Sequence, residues 1–118
     1  MLGSEQPKVL AEFYVGVLGR KPDMSEEDKW WGWMVGSAFL GIGAHSEVHG
    51  ISKEPPRIMF TFETKEVKEE FERIKGTGAT AIKEPYQMSE EHGMWIATFA
   101  DPDGNYFQLM SPWEGEKK

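Results

Sequence analysis

Late in the chain the apolar run YFQLM carries one polar residue, Gln108, between Phe107 and Leu109. A carboxamide both donates and accepts, so in a pocket it orients a bound group rather than moving its proton. Strand alternation sets Gln108 beside Tyr106 and Met110, facing away from Phe107 and Leu109. On residue pattern alone that face is either solvent or a cavity. Arg57, in RIMF, can hold an anionic group bidentately or pair with surplus carboxylates at a strand edge. His45, in GAHSEV, is suited by its titration range to acid–base work, and equally to lining a pocket. If the chain has a catalytic residue, His45 is the candidate.

Other groups fit bland roles better. Asp101 and Asp103 sit in a D-P-D-G turn, where aspartates bond turn amides rather than act as a catalytic pair. His45 and His49 are four apart, which aligns ligands on a helix but not in a strand running into a loop. His49 and His92 read as solvated loop residues. Trp31 and Trp33 share a face by alternation and either pack a core or dimer contact or wall a pocket for a flat ligand. In the second case Gly41 and Gly43 leave the room, and Trp95, Met59 and Tyr86 add to the lining.

The elements that must carry these groups follow from periodicity. Ser4 is a cap for a helix in which Val9, Leu10, Phe13, Tyr14, Val17 and Leu18 form one stripe, stopped by Gly19. A charged loop spans 20–29. Strands are predicted at about 30–35 and 37–45, joined near Gly36. RIMFTFET is a strand with Ile58, Phe60 and Phe62 on one face, and Thr64 caps the helix KEVKEEFERIKG. ATAIKEPY, MWIATFA and YFQLM are three further strands, the last two joined by DPDGN. The halves echo each other, and Glu12-Phe13 returns as Glu70-Phe71. This order predicts an α+β domain with helices on one side of mostly antiparallel sheet and a cleft on the other.

Bulk properties remove whole classes of function. A length of 118 residues suits one domain with a real core. The net charge of −7, without a basic stripe, argues against nucleic acid as a partner. No stretch approaches the roughly 18 apolar residues of a membrane span. The start, MLGSEQPKVL, shows no signal-peptide pattern, and the absence of cysteine rules out disulfides and thiolate chemistry. Both fit a cytoplasmic protein.

AEFYVGVLG, GAHSEV, RIMFTFET and above all FADPDGNYFQL resemble the vicinal oxygen chelate superfamily. That group includes glyoxalase I, extradiol dioxygenases, and fosfomycin- and bleomycin-resistance proteins. The resemblance implies a single domain over 1–118 of paired βαβββ modules, about 1–50 and 56–113. It implies U-shaped mixed sheets around a cavity, and commonly a homodimer. Many members hold a divalent metal on the first and last strands of each module. Here the matching positions are Gln108, Arg57 and Gly41, and the first strand is short or absent. An amide, a guanidinium and a glycine do not make a His/Glu cage.

The expectation is therefore a protein without metal or other cofactor that binds a small molecule in an aromatic-lined pocket, similar to bleomycin-resistance proteins. Its ligand would meet Gln108, His45, Arg57, Trp31, Trp33, Met59, Trp95, Tyr106 and Met110. The alternatives are a metal-dependent lyase or isomerase similar to glyoxalase I (lactoylglutathione lyase) and an interaction domain whose cavity is plugged by side chains.

Overall fold

The computed structural model describes residues 1–27, 29–87 and 93–112. Two compact units, Met1–Ser52 and Lys53–Lys118, repeat one βαβββ order.

In the first unit, strand β1 (Leu2–Ser4) leads into helix α1 (Pro7–Leu18), and β2 (Met24–Glu26), β3 (Trp30–Val35) and β4 (Ala38–Ala44) follow. The sheet runs β1-β4-β3-β2, with β1 parallel to β4 and the other pairs antiparallel. Of the predicted helical stripe, Leu10, Tyr14 and Val17 are buried, joined by Ala11, whereas Phe13 and Leu18 are half-buried and Val9 is 48 % exposed. Pro7 opens the helix, where a missing N–H costs nothing. Gly19 closes it in the left-handed region at φ 71°, its amide bonded to the Val15 carbonyl.

Two expectations need correction here, on Ser4 and on the charged loop, while the short first strand is as expected. Ser4 belongs to β1 rather than to the helix cap: its buried hydroxyl accepts from the Gln6 amide at 2.9 Å, just before the helix begins. The first strand is present, with three residues. β2 lies inside the predicted charged loop. MSE has no alternation and is exposed throughout, so only its backbone pairing to Gly32, Trp31 and Trp30 makes it a strand.

In the second unit the order is β5 (Phe60–Glu63), α2 (Val67–Lys75), β6 (Thr80–Gln87), β7 (Trp95–Ala100) and β8 (Tyr106–Met110). The sheet order, β5-β8-β7-β6, is that of the first unit, so the echo seen in the sequence is a repeated topology. Helix α2 buries Val67, Phe71 and Ile74, as its pattern predicts. Phe71, Phe99, Phe107 and Phe60 stack in series with centroid spacings of 4.9, 5.6 and 6.0 Å. Offset-stacked rings of this kind add to their area burial. Both helices are entered alike: the Thr64 hydroxyl accepts from the Glu66 amide at 3.1 Å, as Ser4 does from Gln6.

The DPDGN segment closes the β7–β8 hairpin. Asp101 Oδ1 accepts from the amides of Asp103 and Asn105, both at 2.9 Å, and Oδ2 accepts from the Asn105 side chain. The turn reading of these aspartates therefore holds for Asp101. At the outer edge, β6 carries Pro85 and two shifts of register against β7.

Candidate functional site

The helix-covered face of the second sheet takes Phe60, Phe62, Phe107, Leu109, Ala97 and Phe99, leaving the alternate residues on the other face. Direct pairing then sets Thr61, Gln108, Thr98 and Lys83 in one row across all four strands. The Thr61 hydroxyl donates to Gln108 Oε1 at 3.3 Å. Gln108 is half-buried, and its Nε2 has no partner among the described residues. Thr98 is buried at 7 % exposure, whereas Thr61 and Lys83 are open. The next row holds Glu63, Met110, Ile96 and Tyr86. Lys83 and Tyr86 are three apart and in a regular strand would face opposite ways. The register shift between them puts both on the open face, with the Lys83 ammonium 5.4 Å from the Tyr86 ring centre. Tyr106 and Met110 share this face with Gln108, as expected.

Arg57, by contrast, is not on this strand. It ends a 3-10 turn, Pro55–Arg57, and pairs with the exposed Glu54 three residues back. Strand β5 starts only at Phe60, because two prolines and an 80 % exposed Ile58 precede it. The residue of β5 that lies beside Gln108 is Thr61, and Arg57 is not brought to this row. Met59 lies just before the strand, 38 % exposed. Trp95 falls on the helix side of β7, its ring 3.8 Å from the Lys68 ammonium, and so does not share Gln108's face.

In the first unit, the tryptophans are not where alternation alone set them. The hairpin turn of Gly36 and Ser37 pairs Val35 with Ala38, which couples even positions of β3 to odd positions of β4. Trp31 and Trp33 therefore side with Ile42 and Leu40 toward α1, not with Gly41 and Gly43. Trp33 is wholly buried, and its indole N–H donates to the Arg20 carbonyl at 3.1 Å. Trp30 takes the glycine face. It stacks on Phe39 at 5.6 Å with 21° between planes. A methyl on Gly32 would come within 2.3 Å of Phe39 Cζ, and one on Gly43 within 3.2 Å of Trp30 Cδ1. The room that the glycines leave is filled by these two rings. The result is a flat aromatic plate, flanked by Met24 and Met34 at 45 % exposure each.

His45 is outside β4 and exposed; its Nδ1 accepts from the Glu47 amide at 3.1 Å. His49 pairs with Glu5 at 3.2 Å on the surface. His92 lies outside the described residues. At the other end of the sheet, Asp23 takes the Met34 amide at 2.6 Å and the Arg20 guanidinium at 2.9 Å. The amide first, and then the guanidinium, hold its carboxyl below the usual range.

The family's divalent metal does not fit the residues around Gln108. Its strand neighbours are the hydroxyls of Thr61 and Thr98, and the nearest carboxylate in the rows, Glu63, is paired with Met110. Among the described residues no three His, Cys, Asp or Glu side chains gather as a ligand set. A cage of anionic or imidazole donors is what such a metal requires. Thr98 and Lys83 escaped the sequence reading. The alternation in WIATFA marks Thr98's face, whereas Lys83 depends on a bulge that no local pattern announces.

The sequence profile described as a glyoxalase-like domain matches residues 1–110. No curated protein matches the chain. Among solved structures, a glyoxalase/bleomycin resistance protein/dioxygenase family enzyme from Burkholderia phytofirmans PsJN is 24% identical, with a TM-score of 0.71 over 93% of each chain. A glyoxalase/bleomycin resistance protein from Albidiferax ferrireducens T118 is 19% identical, with a TM-score of 0.73 over 95% of each. TioX from Micromonospora sp. ML1 is 14% identical, at 0.74 over 93% of each. These likenesses establish the fold. No helix among the described residues is long and apolar enough to cross a membrane.

Proposed function

Because the chain belongs to the glyoxalase-like domain family, we propose that it is a small-molecule-binding member that works without a resident divalent metal. The observation that carries this reading is the row Thr61–Gln108–Thr98–Lys83, which replaces a metal's donors with neutral hydrogen-bonding groups and one ammonium. Gln108 Nε2 offers two donors to a ligand oxygen, and its own oxygen is held by Thr61. Tyr106, Met110 and Tyr86 supply apolar surface beside it, in keeping with the few-polar-groups recipe of ligand sites. In this reading the protein is a cytoplasmic homodimer, similar to the bleomycin-resistance type.

Metal analysis of protein purified without chelator, together with a thermal-shift screen of aromatic and drug-like compounds, tests this. The expected result is far less than one metal per chain and at least one stabilising compound. Gln108→Ala should weaken that compound about three- to tenfold, the worth of one hydrogen bond. Near-stoichiometric nickel, zinc, manganese or iron overturns the metal-free reading, and a screen without any binder overturns the binding one.

A further inference from the structure

In the first unit, α1 and the strands beneath it line an open pocket of about 320 Å³. Lys8, Ala11, Glu12 and Val15 recur three and four apart, so they form one stripe of α1 that meets the buried one at Ala11. Opposite them stand Lys21 and Pro22 of the following loop, and then Ser25 and Trp31. Ser25 and Trp31 are directly paired across β2 and β3 and so face the helix together. Trp31 is half-buried. Unlike Trp33, its indole N–H has no partner among the described residues, and no ion pair engages Lys8, Lys21 or Glu12 there. An indole, a hydroxyl-bearing serine, two lysines and one glutamate thus line the pocket together with Ala11, Val15 and Pro22.

We propose that this pocket between α1 and the β2–β3 edge binds a small planar carboxylate, such as a single-ring aromatic acid. The volume is at the lower end of ligand sites, roughly 300–1,000 Å³, which restricts the occupant to about one ring. The ring lies against Trp31, Pro22 and Val15, and its carboxylate meets the Lys8 and Lys21 ammoniums, with Ser25 as a neutral donor. Glu12 on the same rim sets the charge limit: two ammoniums outweigh one carboxylate, so a monoanion is favoured and a dianion gains little. The chain's net charge of −7 does not decide the matter, because screening over about 8 Å leaves the local groups in control.

The test is a titration of the whole ¹⁵N-labelled protein with benzoate, read by amide and indole shifts. The expected shifts centre on Lys8, Ser25 and the Trp31 indole, and fade as NaCl is raised to about 0.5 M. The double variant Lys8→Glu, Lys21→Glu should weaken benzoate at least about tenfold, the loss of a hydrogen bond between charged groups. Glu12→Gln should tighten it. Lys8, Glu12 and Lys21 are all exposed, and the dispersion of the same spectra reports that the variants stay folded. Benzylamine binding as well as benzoate, or benzoate shifts centred on Gln108 instead, overturns the proposal. So does indifference to the charge reversals.

Discussion

The Met34 amide and then the Arg20 guanidinium hold the Asp23 carboxyl below the usual carboxylate range, and the sign of its effect is fixed by that. A depressed folded-state pKa contributes stability that is fully present above the unfolded value. That contribution is lost as pH falls through the folded one. Acid unfolding below about pH 4 should therefore be less steep in Asp23→Asn, followed by circular dichroism. Equal steepness in both proteins would mean that the Arg20–Asp23–Met34 contacts carry no such weight. Gly32 supplies a second residue-scale test. A methyl there meets the far end of the Phe39 ring, which is 45 % exposed and can swing aside. Gly32→Ala should then leave the fold intact but break the Trp30–Phe39 stack, with a change in ring-current shifts of both side chains. Unchanged shifts would show that the plate is not held as described. At this scale the sequence was a mixed guide. Gln108, Tyr106 and Met110 were legible because period-two alternation depends on neighbours alone. Arg57 was not, since a 3-10 turn replaced the start of its strand.

The elements were legible wherever a stripe or alternation was strong. Both helices fall within the predicted spans, and β7 and β8 are found almost to the residue. What escaped was information held between strands. β2 exists only through its pairing with β3, and the facing of Trp30, Trp31 and Trp33 was decided by a two-residue turn, not by the tryptophans themselves. The phenylalanine stack is where an element-scale perturbation should be largest. Phe99 is fully buried between Phe71 and Phe107, so Phe99→Ala should cost about 3–5 kcal/mol in urea unfolding. A loss below about 1 kcal/mol would show that the stack collapses around the cavity without cost. Lys68→Ala, which removes the ammonium over Trp95, should cost only about 0.5–1 kcal/mol, as expected for a cation–π contact at a surface.

For the whole molecule, the repeated βαβββ order and the family match leave assembly as the property to measure. Met24, Met34 and Phe39 are each 45 % exposed on one sheet face, a good deal of apolar surface for a chain with net charge −7. Sedimentation equilibrium should give twice the mass of 13.4 kDa, and Phe39→Glu should return it to the single-chain value. A wild-type protein that sediments as one chain removes the homodimer from the proposed function and leaves the Gln108 row untouched.

The uneven β6 edge has a consequence for how this protein behaves when crowded. Eight residues of strand at a sheet margin would ordinarily offer an incoming chain a ladder of free amides and carbonyls. Here Pro85 withholds a donor, two slips break the repeat that a templating strand must match, and Lys83 and Glu84 place charge along the rim. The same bulge that turns Lys83 and Tyr86 toward one face thereby makes that margin a poor template for an added strand.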